Sequence, residues 1–130
     1  MRDRNLGAVC EDYVERARRH LPVEIVEAED DAALLRRIPA TGDVIALDPG
    51  GEAWDTAKLV AYLADAMVRG RKSVAFLVGA SDGLSVAALA RAGRRLSLSP
   101  MTLPHRLARV ILCEQIYRAL SIIKNEPYSR

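Results

Sequence analysis

Ser97-Leu98-Ser99-Pro100-Met101-Thr102-Leu103-Pro104-His105 is the stretch of this sequence best suited to hold a small molecule. Pro100 and Pro104 donate no backbone hydrogen bond, and each steers the residue before it away from helical geometry. The segment is therefore a shaped loop, yet Leu98, Met101 and Leu103 are apolar, which is unusual for an exposed turn. A constrained, partly apolar loop at the end of a strand is a means of enclosing a ligand in an α/β protein. The same residues also make an ordinary strand-to-helix connection. A second glycine turn, Gly79-Ala80-Ser81-Asp82-Gly83, follows an apolar run. It lacks the Gly-Lys-Ser/Thr ending of a phosphate loop, and by itself signals only a turn. Cys10 and Cys113 have no partners at metal-site spacing and form no disulfide framework, so the expectation is two buried free thiols and no metal.

These loops need elements to position them. Leu6, Val9, Cys10, Tyr13, Val14 and Ala17 recur at helical spacing and predict a helix from Leu6 to Leu21, capped by Asn5. Pro22 ends it, and Val23 to Glu27 alternates as a strand with one buried face. Asp30 or Asp31 caps a short helix through Ile38, followed by a turn at Pro39 and Gly42. Val44 to Leu47 reads as a buried parallel strand, and Asp48-Pro49-Gly50-Gly51 as a turn off its end. Asp55 caps a helix from Thr56 to Arg69, stopped by Gly70. A strand from Ser73 to Val78, a helix from Ser85 to Ala92, a strand from Arg95 to Leu98 and a helix from Arg106 to Lys124 complete the chain. Alternating strands and helices predict an α/β layered domain with a mainly parallel sheet. Leu47 with Asp48, Val78 with Gly79, and Leu98 with Ser99 then meet at one edge, where such sheets bind ligands.

The chain has 130 residues, half of them hydrophobic and 28% charged, which fits one folded domain spanning residues 1–130. No apolar run is long enough to span a membrane and no signal peptide opens the chain, so a cytoplasmic protein is expected. The net charge of +2 conceals a polarity. Residues 1–65 carry 8 Lys/Arg against 14 Asp/Glu, a net of −6, whereas residues 66–130 carry 11 against 3, a net of +8. The basic half is mostly arginine, which grips phosphate in a fork. It either meets an acidic partner or neutralises the other half within the fold.

Ser97-Leu98-Ser99, Met101-Thr102-Leu103-Pro104-His105, Arg109-Val110, Glu114-Gln115-Ile116-Tyr117-Arg118-Ala119 and Asn125-Glu126-Pro127-Tyr128 together resemble the C-terminal end of the ribosomal RNA large subunit methyltransferase H family. That family lies in the SPOUT class of S-adenosylmethionine-dependent RNA methyltransferases. The resemblance runs from about Val44 to the C-terminus and more faintly upstream. It implies a SPOUT-type, Rossmann-like parallel sheet with a C-terminal trefoil knot, a homodimer, and methylation of ring nitrogen 3 of a pseudouridine in the 23S rRNA of ribosomes.

By the same resemblance, S-adenosylmethionine would be bound by Leu47, Gly79, Leu98, Ser99, Pro100, Met101, Thr102 and Leu103. Gly79→Val is expected to abolish that binding in a protein that stays folded. His105, Arg109 and Tyr128 are the candidates for catalysis, and Arg109, Arg118, Tyr128 and Arg130 for RNA contact; Glu114 with Arg118 also has the spacing of a helical ion pair. Three departures from the family pattern stand out. Ala80 replaces a glycine, Ser129 replaces a histidine, and the family's first strand is missing before the polar opening Met1-Arg2-Asp3-Arg4. A start site assigned too far downstream is the expected explanation. Two alternatives remain: a catalytically impaired relative that only binds RNA or the ribosome, and a SPOUT enzyme with another RNA target.

Overall fold

The computed structural model describes residues 4–21, 30–70, 73–79 and 83–129. The expected strand from Val23 to Glu27, the replacement at Ala80, Arg130 and the first three residues lie outside this set. Five helices and three strands are described: α1 (Arg4–Ala17), α2 (Asp31–Arg37), β1 (Asp43–Ala53), α3 (Thr56–Val68), β2 (Val74–Leu77), α4 (Val86–Arg91), β3 (Arg94–Ser97) and α5 (His105–Ile123). A single 3-10 turn, Pro127–Ser129, follows. No described helix is long and apolar enough to cross a membrane.

The helix starts follow local chemistry. The side chains of Asp30, Asp55 and Ser85 accept hydrogen bonds from the amides of Ala33, Lys58 and Ala88 at 2.8, 2.8 and 3.0 Å. Each satisfies one of the amides that a helix start leaves without an intrahelical partner. Gly70 follows the α3 cap with φ +66°, as a C-terminal stop requires. Asn5 caps nothing: α1 already begins at Arg4. On α1 the face formed by Cys10, Val14 and Ala17 is buried as expected, whereas Val9 is exposed.

The sheet order is β2-β1-β3, and both pairings are parallel. Consecutive β1 residues point to opposite faces. Val44 packs with Ile38 and Leu77 beneath Leu34 and Leu35 of α2 and Leu84 at the head of α4. Ile45 joins Ala17 of α1, Leu59 and Leu63 of α3 and Leu112, Ile116 and Leu120 of α5. Both faces are covered, which is why the strands read as continuous apolar runs.

One local expectation fails here. The Asp48-Pro49-Gly50-Gly51 turn does not leave the end of β1. Leu96 of β3 pairs with Leu47 before this excursion and with Glu52 after it, and Ala53 then pairs with Ser97. The chain bulges out for four residues and rejoins the same neighbour. Gly51 makes the rejoining possible, because a Cβ there would lie 2.7 Å from the Arg95 carbonyl carbon and 2.9 Å from the Leu96 nitrogen. Only glycine lets two backbones approach so closely. The strand then delivers Trp54, buried against Tyr62 of α3 with ring centres 5.3 Å apart.

Candidate active site

All three strands point the same way, so their carboxyl ends share one edge. Leu47 is the last β1 residue before the excursion and pairs with Leu96 close to that edge, with Gly79 beyond β2 on one side and Leu98 beyond β3 on the other. Two strand spacings separate those outer positions, about 10 Å. Leu47, Leu98 and Leu103 are half-buried, and Leu47 and Leu98 lean on the main core. The loop is set by its own hydroxyls: Ser97 Oγ donates to the Ser99 carbonyl at 3.0 Å, and Ser99 Oγ accepts from the Met101 amide at 2.9 Å. Pro100 and Thr102 are exposed, and Met101 is 75% exposed. An apolar side chain held in water by a rigid loop is a natural cover for a flat organic ligand.

Gly79 has a more local reason to be glycine. A Cβ there would fall on the carbonyl carbon of Gly83 and 2.6 Å from the amide nitrogen of Leu84. Its bare α-carbon thus admits the Gly83 and Leu84 backbone, and Gly83 itself has φ +79°. Valine at position 79 would therefore press on the Gly83 and Leu84 backbone as well as on any ligand beside it.

The polar candidates separate along α5. His105 is the first residue of the helix and half-buried. It is not a cap, since the cap position is Pro104, which makes no side-chain cap bond. Arg109 lies one turn on, buried under α1 near Gly7. Tyr128 packs far down the helix on Tyr117, with ring centres 4.6 Å apart. Twelve residues at 1.5 Å each put Tyr117 about 18 Å along the axis from His105. Within one chain, Tyr128 and His105 therefore cannot act on the same atom.

Glu114 collects the donors in that distal region. Arg118 reaches its Oε2 through Nε at 3.0 Å and Nη2 at 2.7 Å, and the Tyr128 hydroxyl donates to the same oxygen at 2.8 Å. Tyr13 of α1 lies 3.2 Å from that hydroxyl, and the Arg118 guanidinium sits over the Tyr128 ring. This network straps the C-terminal segment to α1 and α5. A further strap joins His20 Nε2 to Glu126 at 2.9 Å. None of it could be read from the sequence beyond the Glu114–Arg118 spacing.

Burial, then the hydrogen bonds with Tyr13 and Glu114, holds the Tyr128 phenol above the usual tyrosine range. A raised folded value means the tail's contribution is complete below the ordinary tyrosine pKa of about 10 and is lost as pH rises beyond it. Tyr128→Phe is expected to cost about 1–2 kcal/mol in urea unfolding at neutral pH. The variant should also lack part of the wild type's alkaline loss.

The two cysteines are buried and free, as expected. They nevertheless share one small cluster where α1 crosses α5, with Val14. Burial, followed by the contact with Cys10, pushes the Cys113 thiol up to about 12. It is a packing residue and a poor nucleophile at neutral pH.

A family model described as "Predicted SPOUT methyltransferase" matches residues 1–129. The chain belongs to the SPOUT methyltransferase family. Curated proteins named "Ribosomal RNA large subunit methyltransferase H" are similar to this chain. The one from Sorangium cellulosum is 40% identical over 134 residues, 99% of this chain and 92% of the relative. The one from Gemmatimonas aurantiaca is 37% identical over 144 residues, 99% and 93%. The one from Alkalilimnicola ehrlichii reaches 50% over 97 residues, 73% of this chain and 62% of the relative. The parallel α/β sheet agrees with the fold expected of a SPOUT enzyme.

Proposed function

We propose that this SPOUT enzyme transfers a methyl group from S-adenosylmethionine to ring nitrogen 3 of a pseudouridine in the 23S rRNA of the large ribosomal subunit. The observation that carries the reading is the proline-containing loop Leu98–Leu103, which holds Met101 in solvent and follows a parallel strand near whose carboxyl edge Leu47 and Leu98 are half-buried. The names of the relatives support the RNA substrate.

The residues present fit the cofactor. Leu47, Leu98 and Leu103 offer an apolar seat, and Met101 closes over it. Backbone groups of Ser99, Pro100 and Thr102 would meet adenine's polar edge, and Gly79 would bound the far side. Bound there, S-adenosylmethionine supplies an electrophilic methyl group on a sulfonium. The protein's own task is then alignment and exclusion of water. The acceptor nitrogen must lose a proton, and His105 and Arg109 are polar side chains in the first turns of α5, next to the loop. No side chain here is assigned as the base.

Arg118 and Tyr128 lie too far down α5 to serve the same chain's loop, so their contribution to RNA contact belongs to a homodimer. Leu107, Ile111 and Ile122 support that state, because α5 leaves all three exposed. A dimer is expected by sedimentation at micromolar concentration, and a fully active monomer would contradict it. We further read residues 1–130 as one domain whose C-terminal part is threaded as a trefoil knot, in a cytoplasmic enzyme.

Mass spectrometry of large-subunit rRNA from a strain lacking this gene tests the substrate. The pseudouridine is expected to lose one methyl group. An unchanged nucleoside, with a methyl lost elsewhere, would instead identify a SPOUT enzyme with another target.

A further inference from the structure

We propose that Arg36, Arg37, Arg91 and Arg94 form a second RNA contact, a phosphate-binding surface at the amino edge of the sheet, opposite the Leu98–Leu103 loop. The inference rests on the reading that this chain acts on rRNA. A cleft of about 490 Å³ opens at that edge, lined by Pro39, Asp43, Tyr62, Asp65, Arg91 and Arg94 among others.

Two short helices bring their basic ends to it. The Ser85 hydroxyl donates to Asp31 at 2.5 Å, so α2 and α4 start side by side. α2 ends with Arg36 and Arg37 and exits through Pro39 into the cleft wall; α4 ends with Arg91, which lines it. Arg94, the first residue of β3, lies over the rings of Trp54 at 4.9 Å and Tyr62 at 5.6 Å. That stacking holds its guanidinium in place, with only a 3.4 Å contact to Glu52.

The balance of charge at the cleft decides what it takes. Its carboxylates are already engaged: Asp43 accepts from the Tyr62 hydroxyl, and Asp65 pairs with Arg69 at 2.9 Å. Glu52 holds the Trp54 indole at 2.6 Å and Lys58 at 2.9 Å. Arg36, Arg37 and Arg91 are exposed and make no hydrogen bond or ion pair among the described residues. An unpaired Arg91 in the cleft wall, Arg94 with only its Glu52 contact, and exposed Arg36 and Arg37 at the end of the neighbouring α2 together suit a string of phosphates, which arginine meets in a fork.

Two of the three arginines of α5 do not offer this within one chain: Arg109 is buried and Arg118 is committed to Glu114. β3 is four residues long, so roughly 13 Å separates the two edges. A folded RNA stem-loop seated on the carboxyl-edge loop extends far enough to reach the other edge. Phosphate contacts of this kind set register and orientation without reading sequence.

The test compares full-length wild type with an Arg36→Gln, Arg37→Gln, Arg91→Gln triple variant, all exposed positions whose loss leaves the core intact. Anisotropy with a labelled large-subunit rRNA stem-loop gives affinity between about 50 and 200 mM salt, and calorimetry gives S-adenosylmethionine affinity. The variant should bind RNA roughly tenfold or more weakly, with the slope of log affinity against log salt reduced by about 2–3, as three lost phosphate contacts require. Cofactor affinity should not change, and lysine at the three positions should restore most of the salt dependence. Unchanged RNA affinity and slope, in a protein that methylates rRNA, would overturn this surface alone. A wild type that binds the cofactor yet neither binds nor methylates the RNA would overturn the proposed function and the surface with it.

Discussion

Gly51→Val should lower the thermal midpoint by roughly 10 °C and remove cofactor binding with it. The new Cβ would lie 2.7, 2.8 and 2.9 Å from backbone atoms of Arg95 and Leu96. No side-chain rotation relieves a clash with backbone, so β1 and β3 must separate where the excursion rejoins the sheet. Overpacking of this kind costs about 1–3 kcal/mol, and for a domain of this size each kcal/mol moves the midpoint by several degrees. Leu47 precedes the excursion and Leu98 follows the Ala53–Ser97 pair, so both move with it. Gly50→Ala is the control. Its nearest neighbours are the Asp48 carboxylate oxygens at 3.9 Å, and it should be nearly silent. Equal midpoints for the two variants in a thermal melt would refute this account of the bulge.

Met101→Ala should leave the melting curve unchanged and weaken S-adenosylmethionine binding by about 10- to 100-fold. The side chain is 75% exposed, so its removal opens no cavity in the free protein. If it covers the ligand, burying it contributes about 1.5–3 kcal/mol on binding, which corresponds to that range of affinity. Titration calorimetry reads the change directly. An unchanged dissociation constant would exclude Met101 from the enclosure.

Residue chemistry announced those parts of the fold that depend on it locally. Asp30, Asp55 and Ser85 are caps because their side chains can reach the amides that open a helix, and Gly70 stops α3 because it accepts a positive φ. Val44 to Leu47 is a strand with two covered faces, and its apolar run shows it. What escaped depends on contacts between distant segments. The Asp48–Gly51 motif has the composition of a turn, and only the position of Arg95 and Leu96 makes it a bulge. Tyr13, Tyr117 and Tyr128 lie more than a hundred residues apart at the extremes and meet only when α1 crosses α5. Cys10 and Cys113 meet at the same crossing.

The candidate site divides likewise. The Leu98–Leu103 loop was visible in its prolines and apolar residues, whereas the roles of His105, Arg109, Arg118 and Tyr128 came from resemblance. Their distribution along some 18 Å of α5 is a tertiary fact. The amino-edge surface draws its arginines from two separate short helices and the start of β3, and no spacing in the sequence joins them.

Methyl transfer from isotopically labelled S-adenosylmethionine to large ribosomal subunits lacking this modification tests the central claim most directly. With wild-type protein, label is expected in a single pseudouridine of 23S rRNA, and Met101→Ala should need about 10- to 100-fold more cofactor to reach the same rate. Cofactor binding without any transfer of label to rRNA would contradict the account and leave a protein that binds the ribosome without methylating it.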